Sequence, residues 1–152
     1  MPHVDTEQDA ANLLTIFAIC ETFFAVSAQY VQEIIRMCPI TPVHHAPQHV
    51  VGIINLRGRI VTVLDPALRI GLGHQDIGET SRILILDWKG EQLGLQVSRV
   101  RDVLPIDPER LVAPPPNLRS VLGPYSAQVF QLQDNIVSTL NLDALLSSQL
   151  GS

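Results

Sequence analysis

The feature that most constrains the fold is an internal repeat of short segments in which apolar and polar residues alternate. Residues 25–34 align with residues 94–103, and the run 60–64 resembles the run 136–140. The aligned pairs include Val31 with Val100, Glu33 with Asp102, and Ile34 with Val103. Alternation with a period of two is typical of half-buried strands. A repeat of such segments therefore predicts two related β units in tandem.

The predicted architecture is mainly β, with few and short helices. Units of about 65 residues are marginal alone, so we expect them to share an apolar core and to fold as one domain. We expect residues 1–12 to be a flexible N-terminal segment and residues 13–150 to be the domain. The two units are expected at about 13–80 and 81–141, with a C-terminal helix packing back on the first.

The clearest local signals are one hairpin and two helix starts. Lys89-Gly90-Glu91 is expected to connect strands at 82–88 and 92–97, because glycine permits the positive φ of a tight turn. The predicted caps are Ser27, for a short segment through Glu33, and Asn141, for a helix over Leu142–Leu150.

The composition favours a cytoplasmic protein that binds neither nucleic acid nor membrane. Fifteen acidic and ten basic side chains give a net charge of -5, which leaves no positive surplus for a phosphate backbone. The apolar run 13–19 is too short to span a bilayer, and the acidic start of the chain does not resemble a secretory signal. Cys20 and Cys38 lie outside any C-x-x-C motif, so we expect buried thiols in a reducing compartment.

Three histidines, His44, His45 and His49, are the first candidates for a metal site. His44 and His45 would point to opposite sides of an extended segment, and Pro47 disfavours a helix that would pair His45 with His49. No nucleophile elbow and no phosphate-loop motif accompany them. We therefore predict no catalytic site, no metal and no cofactor, and interpret the histidines as a solvated connection.

The segment 51–65 contains two apolar strands that meet at a polar corner. Arg57-Gly58 makes the turn, and Asn55 brings an amide beside it. The amide and the guanidinium can satisfy unpaired backbone groups or the acceptors of a partner. Arg57 either braces its own unit by pairing with Asp65 or docks a partner, and the sequence favours neither interpretation.

This corner resembles the central signature of the CheW family, in which Gly-x-x-Asn-Leu-Arg-Gly leads through an apolar strand to an aspartate and a short helix. Gly52 begins that motif here, and Asp65 is the aspartate. Val31–Ile34 and Val100–Leu104 match further parts of the family pattern, and the similarity runs from about residue 13 to 146. The departures from the pattern are Pro66, the run Pro114–Pro116 and the histidine cluster.

The resemblance implies two SH3-like five-stranded β-barrels around a shared apolar core, and no active site. It implies that the chain joins the regulatory domain of a CheA-type histidine kinase to the cytoplasmic tip of methyl-accepting chemoreceptors, in receptor arrays at the inner membrane. Carried over position by position, the expected partner-binding residues are Val31, Glu33, Ile34, Gly52, Asn55, Arg57, Val100 and Val103.

Other functions are weighed against this one. Small β-barrels often bind RNA, but they do so through exposed aromatic and basic side chains. One Trp, two Tyr, four Phe and a net charge of -5 supply neither. A hydrolase or metal enzyme would have to be built on the histidines. Within the family, an adaptor for type IV pili or another non-flagellar output fits the sequence as well.

Overall fold

The computed structural model describes residues 12–150, with side chains through residue 147. Within this range the strands are β1 Leu13–Ile19, β2 Thr22–Ser27, β3 Val31–Arg36, β4 Val50–Leu56, β5 Arg59–Leu64, β6 Arg82–Trp88, β7 Glu91–Val97, β8 Arg99–Pro105, β9 Ser126–Leu132 and β10 Asn135–Leu140. The α-helices are α1 Pro66–Ile70, α2 Pro116–Leu122 and α3 Leu142–Leu150. Turns of 3-10 helix occupy Ala28–Tyr30, Pro108–Arg110 and Gly123–Tyr125. The predicted mainly β fold is confirmed.

The strands form two five-stranded sheets with the same internal order. The first barrel has the order β8-β1-β2-β10-β9, and the second has the order β3-β6-β7-β5-β4. Each strand of one sheet corresponds to the strand five places earlier or later in the chain, so that β1 corresponds to β6. Replacing every strand by its counterpart converts the first order into the second. The repeat seen in the sequence is therefore an approximate two-fold relation between the barrels.

The division between the barrels differs from the expected one near residue 80. Strands β1 and β2 pair with β8 and β10 from the second half of the chain, whereas β3 to β7 form the other barrel. The chain passes between barrels at residues 28–30 and at residue 98. Each sequence repeat thus contributes two strands to one barrel and three to the other, an exchange that side-chain alternation does not reveal.

Three apolar clusters fill the part of the chain that the structure describes. The largest lies between the barrels and takes Phe17 and Phe24 from the first barrel and Leu84 and Leu95 from the second. Helix α3 packs into this same cluster beside α1. Smaller clusters fill the first barrel around Phe130 and the second around other aliphatic side chains. The predicted core shared by two barrels is confirmed.

Two hairpins end in tight turns with positive φ at both central residues. In the β6–β7 hairpin these are Lys89 (52°) and Gly90 (83°), and Glu91 pairs with Trp88. The predicted hairpin is therefore present, with a two-residue turn instead of three. The β4–β5 turn has the same form, with Arg57 at 50° and Gly58 at 85°. Such turns match the right-handed twist of the strands they join.

The helix caps follow the same repeat. Asp65 accepts a hydrogen bond from the backbone N–H of Ala67 (3.0 Å) at the start of α1, and Asn141 accepts one from that of Ala144 (3.2 Å) at the start of α3. Ser27 caps its 3-10 turn through the N–H of Gln29. That turn ends at Tyr30 and not at Glu33, because the next residues pair with β6 as strand β3.

Candidate functional site

An ion pair between Arg57 and Glu33 lies at one end of the second barrel. Arg57 occupies the β4–β5 turn, and its guanidinium donates a hydrogen bond to the carboxylate of Glu33 on β3. Because β3 and β4 are the outer strands of their sheet, this contact connects its two edges. The Arg57 side chain is 70% exposed and that of Glu33 is 30% exposed, so both remain available to a partner.

Asp65 does not pair with Arg57. Its carboxylate is buried and accepts hydrogen bonds from the N–H of Ala67 (3.0 Å) and from the side-chain amide of Gln75 (2.8 Å). The same amide donates to the carbonyl of Gln96 (2.7 Å). The internal brace between Arg57 and Asp65 considered from the sequence is therefore absent, and the Gln75 amide connects Asp65 to β7 instead.

Asn55 shapes the turn that presents Arg57. The Asn55 side-chain oxygen accepts a hydrogen bond from the N–H of Gly58 at 2.8 Å. The carbonyl of a short side chain can replace a backbone acceptor in this way and hold a tight turn. Asn55 itself is exposed, and its amide N–H₂ group, which has no acceptor within residues 12–147, can meet a partner's acceptor.

Gly52 is buried and has a packing role. Thr41 and Ile53 exchange two backbone hydrogen bonds of 2.9 and 2.8 Å directly beside it. A Cβ at Gly52 would lie 2.2 Å from the carbonyl oxygen of Thr41, where no side chain fits. The structure thus gives Gly52 a role in the close approach of two backbone segments, and a partner cannot reach it directly.

The remaining predicted residues fall on two equivalent edge strands. Val31 on β3 and Val100 on β8 are half-buried against the central cluster. Ile34 on β3 (40% exposed) and Val103 on β8 (43% exposed) present apolar surface to solvent. The eight predicted residues therefore divide between the barrels. Residues from β3, β4 and the β4–β5 turn lie on the second barrel, and those from β8 lie on the first.

Sequence reasoning missed an apolar groove beside Trp88. Its lining comes from both barrels and α3, and includes Leu14, Ala25, Val26, Tyr30, Ala127, Leu140 and Leu142. The rings of Tyr30 and Trp88 meet edge to face at 5.1 Å, and the indole N–H is buried without an acceptor among the described residues. The only sequence signal was the single tryptophan of the chain, at the end of a predicted strand.

The histidines do not form one solvated connection. His44 and His45 are exposed, as predicted, but His49 is buried. Burial, and to a lesser extent the Arg69 guanidinium, lowers the pKa of His49 below its usual 6.5. Among the described residues, no group of His, Cys, Asp or Glu could hold a metal ion. None of the described helices is long and apolar enough to span a bilayer.

Known proteins resemble this chain over nearly its whole length. A family model described as CheW-like domain matches residues 14–150. Chemotaxis protein CheW of Rhizobium meliloti is 28% identical over 90% of this chain and 88% of its own length. Probable chemotaxis protein CheW of Rhizobium etli is 30% identical over 88% and 86%, respectively. The crystal structure of the scaffolding protein TtCheW from Thermoanaerobacter tengcongensis has a TM-score of 0.83 at 28% identity, covering 95% of this chain and 94% of that one.

Proposed function

Because the chain belongs to the CheW-like domain family, we propose that it is a chemotaxis adaptor that joins a CheA-type histidine kinase to chemoreceptors. Like the family, it is a non-enzymatic scaffold. Its function therefore depends on surfaces, and the question is which surface meets which partner. An RNA-binding barrel is not favoured, since the net charge is -5.

The observation that carries the kinase contact is the exposed Glu33–Arg57 pair at the end of the second barrel. Neither side chain supports the apolar core, and Asn55 holds the turn that presents the guanidinium. A planar fork of donors beside a carboxylate offers both signs of charge to a partner. The nearby exposed Ile34 adds apolar area. We assign this barrel end to the regulatory domain of the kinase.

The receptor fits the groove beside Trp88. The cytoplasmic tip of a receptor is a helical coiled coil, and a helix of that kind docks its apolar side chains into a groove of comparable character. Tyr30 and Trp88 supply large rigid surfaces to this groove. Binding to receptors would hold the adaptor in the cytoplasm at arrays on the inner membrane. The output, flagellar or type IV pilus, would then follow from the partners.

Calorimetry with the isolated regulatory domain of the cognate kinase tests the proposal. Binding that buries apolar area gives a negative heat-capacity change, measured from titrations at several temperatures. We expect Ile34→Asp to weaken binding, whereas Val121→Asp, at another exposed apolar position, on α2, should not. A dissociation constant of tens of micromolar corresponds to a binding free energy of about 6 kcal/mol. Absence of any binding at such concentrations would contradict the assignment.

A further inference from the structure

Two arginines stand over one aromatic ring at the end of the first barrel. The guanidinium carbons of Arg99 and Arg101 on β8 lie 5.4 and 4.9 Å from the ring centroid of Phe23 on β2. Arg101 is the extra residue of a β-bulge in β8, and such a bulge re-aims a side chain, here toward the ring that Arg99 also reaches. These distances are within the range of cation–π contacts, so the Phe23 ring attracts both guanidinium groups to this end of the barrel.

The same end of the second barrel differs in charge. Gln133 and Arg57 occupy equivalent positions, the first residue of a two-residue turn, with φ of 54° and 50°. Asp102 is likewise the repeat counterpart of Glu33. In the second barrel the turn residue and the strand carboxylate form an ion pair. In the first barrel the amide oxygen of Gln133 accepts a hydrogen bond from Arg101 at 2.9 Å, and no carboxylate of the described residues takes part.

The carboxylate of Asp102 is engaged elsewhere. It accepts a hydrogen bond from the backbone N–H of Val103 at 2.8 Å. Neither Arg99 nor Arg101 forms an ion pair with any described residue, and one terminal nitrogen of Arg101 is buried without an acceptor. The first barrel therefore has two guanidinium groups without a carboxylate partner among the described residues, whereas the second barrel has a guanidinium already paired with its own carboxylate. Arg99 is exposed, and Arg101 is half-buried with its other terminal nitrogen on Gln133.

We propose that this end of the first barrel, formed by Phe23, Arg99, Arg101 and Gln133, docks an acidic segment of a partner protein. An Asp or Glu side chain of that segment would take the place that Glu33 holds in the second barrel. Guanidinium groups bind carboxylates through paired hydrogen bonds, which are stronger than those between neutral groups. The proposal is separate from the kinase contact on the second barrel and from the receptor groove.

The test uses the full chain and a labelled synthetic peptide of about ten residues rich in Glu. Fluorescence anisotropy measures binding, and a peptide with Gln in place of Glu is the matched ligand control. We expect the Glu peptide to bind and the double variant Arg99→Gln/Arg101→Gln to bind at least about tenfold more weakly. Arg119→Gln, at an exposed arginine on α2, is the matched protein control and should bind as the wild type does.

Two further measurements separate docking from a structural role. The double variant Arg99→Lys/Arg101→Lys keeps the charge but loses the planar fork, so it should bind with intermediate affinity. Side-chain Nε–Hε signals of Arg99 and Arg101 should shift on titration with the Glu peptide in the folded protein. A double Gln variant that melts as the wild type does and still loses binding supports docking.

Several outcomes would overturn the proposal. Equal binding of the Gln peptide, or unchanged binding by the double Gln variant, would show that the arginines do not recognise carboxylates. Tighter binding of a single-stranded RNA oligonucleotide would assign the surface to nucleic acid. The wild type could fail to bind the Glu peptide while the triple variant Asp5→Asn/Glu7→Gln/Asp9→Asn binds it. In that case the occupant of the surface is the chain's own N-terminal segment and not a partner. Each of these outcomes can be read whether or not the kinase binds.

Discussion

Replacing Arg57 by His should abolish receptor control of the kinase while leaving the protein folded. The substitution removes the ion pair between Arg57 and Glu33, and the 70% exposure of the arginine side chain means that solvent screens this pair strongly. Pairs of this kind contribute about 0 to 1 kcal/mol to the free energy of unfolding. For a domain of this size, 1 kcal/mol corresponds to a fall in Tm of about 2 to 4 °C.

The backbone at this position does not add to that cost. Arg57 has a φ of 50°, and His is among the residues that tolerate this left-handed region better than most. Asn55 continues to hold the turn through the N–H of Gly58. Thermal unfolding and receptor-stimulated kinase activity in a reconstituted mixture are measured on the same preparation. Arg36→His, at an exposed arginine that ends β3, is the control and should leave both quantities unchanged.

A charge swap tests whether coupling needs only an ion pair between positions 33 and 57 or needs each charge at its own position. The double variant Glu33→Arg/Arg57→Glu restores an ion pair but presents inverted charges to the kinase, so it should keep the wild-type Tm and still lose coupling. If the swap restores coupling, or if Arg57→His lowers the Tm by well over about 4 °C with a proportionate loss of activity, Arg57 is a structural brace and the docking role is refuted.

Three other predictions concern the rest of the site. Gly52→Ala should lower the free energy of unfolding by about 1 to 3 kcal/mol in urea titrations, because the added Cβ would meet the Thr41 carbonyl. An unchanged urea midpoint would mean that the backbone segments around Thr41 and Gly52 can separate at no cost. The pKa of His49 is lowered in the folded state. Below about pH 6.5 the imidazole therefore binds a proton more readily in the unfolded chain than in the folded one. The free energy of unfolding should consequently fall as the pH is lowered from about 7 to 5. That loss should be smaller in His49→Gln, and equal slopes would contradict the burial argument. Trp88→Ala should weaken receptor binding about tenfold or more in a pull-down titration, and Trp88→Phe should weaken it less. If Trp88→Ala binds the receptor as the wild type does, the groove is not the receptor site.

The local structure was the most predictable part of the fold. Alternation identified the strands, glycine identified the turn at Gly90, and a side-chain acceptor identified the cap at Asn141, because each signal depends only on neighbouring residues. The repeat also predicted two related units with a common core. It did not predict that β1 and β2 pair with the second half of the chain. A period of two tells which side chains face inward, but not which strand lies beside which.

The candidate site was predictable in its residue types and less so in its contacts. Glu33, Asn55 and Arg57 do meet at one barrel end, yet the internal carboxylate partner considered for Arg57 from the sequence, as the alternative to docking, was Asp65. Strand pairing and barrel closure bring Glu33 there instead. The burial of Gly52 and His49 also depends on tertiary contacts. Thr41 approaches Gly52, and Arg69 approaches His49, only in the folded chain.

The exchange of strands between barrels sets the order in which the protein can assemble during synthesis. Strands β3 to β7 are continuous in sequence, so the second barrel has all its strands once residue 97 has left the ribosome. The β1–β2 hairpin precedes these strands in sequence but must wait for β8 and β10, since Phe23 pairs with Val137, which lies far beyond residue 97. Its apolar face stays uncovered until those strands are made, and closing such distant contacts is slow. The apolar surface of the first barrel therefore stays unpaired longer than that of the second as the chain grows.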